Sequence, residues 1–272
     1  MKSALLYYCA IILAFYFGIY TYKYYLHPSP TPESNNNYFK VPRIGQNLFG
    51  PSLSLYERDH LFGSTNHMMG KFAFTDYIYL DQDRSKRYGD DFFIPPHYWW
   101  DSEDNLYPSD GLQLKLGHRP QIRGFYDGED KAHFPLYIIN ETNSTKYLFG
   151  APSHVSTLIE AKDKEGVWRP IEYRNIIGCL TGTGLLKIHP KEFCVLAIPS
   201  FKGGFKTKIR VKLKNQHSIL ISNTVQGYIN EAQFKFKSGN RLKKYLEDEP
   251  WCKIPYWFFG SVPLEFAPPT KN

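Results

Sequence analysis

Cysteine is scarce in this chain, with four in 272 residues, and that excludes a small scaffold stapled by disulfides. Long apolar runs are almost absent too. Only one stretch approaches spanning length, so a polytopic membrane protein is excluded. Nor is there a strict Gly-X-Y repeat, a 20–50-residue repeat, or the low hydrophobic content of a disordered chain. Signatures of chemistry are missing as well. No two histidines stand at the i, i+4 zinc spacing, no G-x-S-x-G elbow presents a serine, and Gly182-Thr183-Gly184 lacks the lysine of a phosphate loop. No catalytic residue, metal ligand or cofactor site is assigned, and the expectation is a protein that is not an enzyme.

What is abundant is aromatic and basic. Tyr, Phe and Trp make up 17% of the chain, and these residues favour strands and large buried contacts. Lys and Arg number 33 against 26 Asp and Glu, a formal net charge of +7.

The single apolar run, Ala4–Tyr20 (ALLYYCAIILAFYFGIY), carries no charge. At ~1.5 Å per residue it spans ~26 Å, and it reaches the ~30 Å hydrocarbon layer if it continues to Leu26 with the Lys23 ammonium drawn up to the headgroups. Tyr20, Tyr22, Tyr24 and Tyr25 form an interfacial belt at its end. No small-residue cleavage site succeeds it, so the segment reads as an uncleaved anchor, residues 1–26, rather than a signal peptide. Lys2 on one side and Lys23, Lys40 and Arg43 on the other nearly balance. Orientation is therefore taken from the usual habit of short N-terminal anchors, which keep the tail in the cytoplasm and export the body of the chain. Residues 27–40 read as a Pro/Ser/Asn linker, in which His27 to Asn37 (HPSPTPESNNN) offers nothing to bury.

Beyond the linker the period is two. Phe205–Lys214 (FKTKIRVKLK) alternates apolar or β-branched residues with Lys206, Lys208, Arg210, Lys212 and Lys214, so a strand would place five cations on one face. Shorter versions recur at Phe72–Leu80, Leu112–Leu116, Leu136–Asn140, Val155–Ala161, Phe193–Ile198, Ile219–Ile221 and Phe234–Phe236. One short helix is expected, Asn240–Glu247, with its asparagine as cap. The expected organisation is an N-terminal extension, 41–107, wrapping a β-sandwich, 108–272, whose apolar tail from Trp251 packs across the strands.

Within this array Pro135–Asn140 (PLYIIN), Val167–Tyr173 (VWRPIEY), Val195–Pro199 (VLAIP), Gly203–Arg210 (GGFKTKIR), Ile221-Ser222-Asn223 and Gly227–Asn230 (GYIN) stand together. The combination resembles uncharacterised bacterial membrane-anchored envelope proteins, over roughly residues 135–234. The resemblance implies an immunoglobulin-like antiparallel β-sandwich in the cell envelope, and no activity.

Three features are candidate sites. The five cations could bind an anionic surface or another envelope protein, or form a solvated face; their lack of interleaved aromatics argues against nucleic acid. Tyr98, Trp99 and Trp100 beside Asp101 could stack on a glycan for binding or cleavage, or could seal one end of the sandwich. Cys179 and Cys194 could pair in an oxidising compartment, or lie buried as thiols. Asn140-Glu141-Thr142 and Asn143-Ser144-Thr145 both match the glycosylation sequon.

Overall fold

The computed structural model describes residues 38–45, 54–63, 66–80, 91–94, 107–126, 129–151, 154–174, 184–215, 218–248 and 250–267. The fold is mainly β. Strands of the N-terminal part are β1 (Arg43–Gly45), β2 (Tyr56–Glu57), β3 (Phe62–Gly63), β4 (His67–Ala73), β5 (Tyr77–Tyr79) and β6 (Phe92–Phe93). The middle holds β7 (Gln113–Leu116), β8 (Ile122–Tyr126), β9 (Glu129–Asn140), β10 (Lys146–Ala151), β11 (His154–Val155), β12 (Thr157–Lys162), β13 (Trp168–Pro170) and β14 (Glu172–Tyr173). The last are β15 (Gly184–Ile188), β16 (Glu192–Pro199), β17 (Phe201–Lys202), β18 (Phe205–Asn215), β19 (Ser218–Ile221) and β20 (Val225–Ile229).

Two five-stranded antiparallel sheets dominate, an arrangement consistent with a β-sandwich. The first runs β4-β16-β9-β7 with β8 also on β9; the second runs β13-β12-β18-β19 with β20 also on β18. A four-stranded sheet, β11-β10-β15-β6, completes the walls. The main core lies between them. Leu136 and Ile138 of β9 and Cys194, Leu196 and Ile198 of β16 meet Ile159 and Ala161 of β12 and Ile209, Val211 and Leu213 of β18.

Residues 193–198 read as an unbroken apolar run because the first sheet is covered on both faces. Phe193, Val195 and Ala197 point away from the main core into a second cluster with Tyr137, Ile139, Ile78 and Leu80. Phe39 closes it, its ring 5.1 Å from Phe193, 5.4 Å from Tyr137 and 5.6 Å from Phe74. Two short strands of the N-terminal extension pair in parallel with strands of the later region, β2 with β17 and β3 with β14, while β1 pairs in parallel with β5 inside the extension. His67–Ala73 does not wrap; β4 is a full member of the first sheet, paired with β16.

The helix expected at Asn240–Glu247 is α1 (Arg241–Asp248). The Asn240 side-chain oxygen accepts from Leu242 N at 2.8 Å and Lys243 N at 3.2 Å, the cap the sequence calls for. A second helix that period two does not anticipate, α2 (Pro250–Phe258), comes directly after it. Phe234–Phe236 is not a strand. Glu231–Phe234 is a 3-10 turn closed by a capping box, in which Asn230 Oδ1 accepts from Ala232 N at 3.0 Å and Gln233 Oε1 accepts from Asn230 N at 3.0 Å. The two helices lie on the outer face of the second sheet, where Leu158, Phe236, Leu246, Ile254, Phe258 and Phe259 form a third apolar cluster.

Among the described residues no helix is long and apolar enough to cross a membrane. The expected anchor and residues 27–37 of the linker lie outside the described residues.

Candidate functional site

The five cations of β18 do lie on one face, opposite Ile209, Val211 and Leu213. They do not form one continuous strip. Antiparallel pairing puts Glu160 directly across from Arg210, and Glu160 is 1% exposed. Arg210 Nε donates to Glu160 Oε2 at 2.6 Å, and the Lys212 ammonium lies 3.3 Å from Oε1. Ser261, just past α2, donates to Glu160 Oε1 at 2.5 Å and accepts from Lys212 Nζ at 2.7 Å. One buried carboxylate thus holds two cations beneath the C-terminal segment. The Arg210 guanidinium also lies 4.2 Å over the Trp168 ring, with Lys162 Nζ 5.5 Å away on the same ring.

The C-terminal segment is fastened along this face. Arg169, itself paired with Asp163 at 3.0 Å, donates to the Val262 carbonyl at 3.3 Å, and Arg174 N donates to the Trp257 carbonyl at 2.9 Å. Glu265 accepts from Lys243 Nζ at 2.9 Å and from Phe236 N at 3.2 Å.

Beyond this cover, Lys206 and Lys208 are exposed and carry no carboxylate partner among the described residues; Lys214, half-buried, has none either. Register sets Lys206 across from Tyr228 and Lys208 across from Gln226. Tyr228 is 49% exposed. The open part of the face is therefore two lysines flanked by a phenol ring and an amide. Gly203 fixes how closely it is built: a Cβ there would sit 2.0 Å from the Ile229 carbonyl carbon of β20, so only glycine fits.

Two polar clusters carry no signal in the sequence. Lys71, with a side chain 9% exposed, donates to Asp91 at 2.6 Å and Glu192 at 2.8 Å. His189 bridges Asp91 (Nε2, 3.2 Å) and the Thr145 hydroxyl (Nδ1, 3.1 Å). Burial disfavours ionised Asp91, but the hydrogen bonds from Lys71 and His189 outweigh it and hold the carboxyl below the ordinary carboxylate range. The set ties β4, β6 and the turns flanking β10 and β16 into a clasp. Partners 20 to 121 residues apart in the chain leave no local pattern to read.

The other cluster is His133, fully buried. Its Nδ1 donates to the Lys131 carbonyl at 2.9 Å, which leaves Nε2 to accept from the Tyr56 hydroxyl at 2.9 Å. Burial pushes its imidazole down to about 4; the Lys131 bond works the other way and nearby His67 adds to the lowering.

Tyr98, Trp99, Trp100, Asp101 and Cys179 lie outside the described residues. Cys194 is a free thiol buried in the main core, where burial pushes its pKa up. Of the two sequons, Asn140 is buried, its amide donating to the Ile188 and Ser144 carbonyls at 2.7 and 2.9 Å, whereas Asn143 is exposed. Among the described residues no three His, Cys, Asp or Glu side chains stand ready to hold a metal ion. A cavity of about 10 Å³ lined by Met68, Phe92, Leu148, Val155 and Leu186 is apolar and at most water-sized. The chain matches no family model, no curated protein and no solved structure.

Proposed function

We propose that this chain is a membrane-tethered extracytoplasmic β-sandwich of immunoglobulin-like kind that works by binding an anionic envelope partner or surface. The observation that carries the reading is the division of the cationic face. Arg210 and Lys212 are neutralised by Glu160 under the C-terminal segment, while Lys206 and Lys208 stand exposed beside Tyr228. Exposed cations without a carboxylate partner on a hydrogen-bonded strand attract a partner of opposite charge. The uncharged run Ala4–Tyr20 supports the tether, and the usual habit of short N-terminal anchors supports an exported body.

The test is binding of the full chain to membranes from its own envelope across a salt series. Lys206→Glu with Lys208→Glu should weaken retention about tenfold or more, while a charge-matched reversal at exposed Lys237 and Lys244 should leave it within about twofold. Equal loss in both pairs would mean general charge attraction and defeat the assignment of the face.

A further inference from the structure

The two glycosylation sequons overlap in the turn that joins β9 to β10, and the fold treats their asparagines oppositely. Asn140 holds the turn from inside. Its side-chain oxygen accepts from Thr142 N at 3.0 Å and from the Thr142 hydroxyl at 2.6 Å. Its amide nitrogen donates both hydrogens, to the Ile188 carbonyl at 2.7 Å and the Ser144 carbonyl at 2.9 Å. A sugar on that nitrogen would displace one of these hydrogens and would have to fit where Asn140 is 0% exposed. Asn143 is the reverse case. It is exposed at the crown of the same turn, next to exposed Ser144, and its amide has no hydrogen-bond partner among the described residues. A bulky, hydrated group is carried only where it can face water, and Asn143 offers that.

We infer that Asn143, and not Asn140, is a modification site carrying an N-linked glycan. The inference rests on the proposed export of the body, because the sugar donor is a glycan joined to a membrane lipid through a diphosphate and is used on the far side of the bilayer. The Asn143 amide nitrogen bonds to the anomeric carbon of that glycan. The bond from this carbon to the diphosphate oxygen breaks, and the proton lost by the amide leaves with the lipid diphosphate. Glu141 stands two residues before Asn143, the acidic position that extends this sequon in bacterial envelopes. In the finished fold the other groups of the sequon are engaged. The Thr145 hydroxyl lies 3.1 Å from His189 Nδ1, and Glu141 accepts from Phe39 N at 2.8 Å and from Gln113 at 2.9 Å. Transfer therefore precedes closure of the turn, and folding then selects the product. A glycan at Asn143 leaves every one of these bonds intact, whereas one at Asn140 strands buried carbonyls and blocks closure.

The experiment is intact-mass and glycopeptide mass spectrometry of the full chain purified from its own membranes, beside Asn143→Gln, Thr145→Ser and Thr145→Val. Wild type is expected to be heavier than its sequence, with the added mass on Asn143. Asn143→Gln and Thr145→Val should lose that mass entirely, and Thr145→Ser, which keeps the hydroxyl, should retain it. Asn143 is exposed, so circular dichroism of Asn143→Gln should match wild type. Sugar on Asn140 of the folded protein would overturn the choice of site. Bare Asn143 in a chain that external protease still trims would overturn the inference and leave export standing. A chain bare at Asn143 and fully protected from that protease would remove both.

Discussion

Replacing Glu160 with glutamine keeps the shape of the side chain and removes the charge on which the covered half of the cationic face depends. Its carboxylate is 1% exposed and meets Arg210 at 2.6 Å, Lys212 at 3.3 Å and Ser261 at 2.5 Å. The two cations are themselves mostly shielded, at 20% and 12% side-chain exposure, so water compensates little of the loss. Breaking a buried pair by removing one partner costs about 3–5 kcal/mol, a large share of the ~5–15 kcal/mol that holds a typical domain. For a chain of this size each kcal/mol moves the thermal midpoint by ~2–4 °C, so Glu160→Gln should lower it by about 6–20 °C. The cost arises from stranded cations, so adding Arg210→Met and Lys212→Met should recover much of it. Urea unfolding at neutral pH measures both. A loss under about 1 kcal/mol for Glu160→Gln, or no recovery in the triple variant, would refute the claim that Glu160 neutralises this half of the face.

The same geometry sets further outcomes. His133 has a folded-state pKa of about 4 against 6.5 when unfolded, so its neutral form contributes stability that is fully present above about pH 6.5 and is lost as pH falls toward 4. The loss amounts to about 3 kcal/mol in urea titrations at the two ends of that window, and His133→Gln should flatten it; an unchanged slope in the variant would assign the effect elsewhere. The Tyr137 hydroxyl is buried with no partner among the described residues, so Tyr137→Phe should stabilise by up to about 1 kcal/mol, and a clear loss of stability would reveal a bond it makes. Phe258 is fully buried in the C-terminal cluster. Phe258→Ala should cost about 3–5 kcal/mol and make residues 250–267 the first to yield in limited proteolysis; cleavage starting elsewhere would count against a locally fastened segment. Gly203→Ala should destabilise by more than about 1 kcal/mol, and a neutral result would mean that β20 can move away from it.

The sequence is readable where a residue's environment is set by its own strand or turn. Period two in residues 205–214 locates β18 and its inner face, and Asn240 marks a helix start, because both signals are local. The fate of the cations is not local. Whether Arg210 meets water or Glu160 depends on strand register and on a chain segment 50 residues further on, and alternation alone carries neither. The second helix is hidden because Pro255 and the aromatics of residues 250–258 disfavour a helix intrinsically. Burial of Leu158, Phe236 and Phe258 in one cluster accounts for it instead. Phe234–Phe236 alternates like a strand and is not one, because a capping box at Asn230 and Gln233 competes with alternation there. The clasp around Lys71 emerges only from pairing.

The most direct measurement of the proposed topology is protease added to the outside of sealed spheroplasts carrying the full chain. A tethered, exported body should be cut in the linker N-terminal to Phe39, within residues 27–37, and released as a folded fragment with strand-dominated circular dichroism. Complete protection until the bilayer is opened by detergent would contradict it.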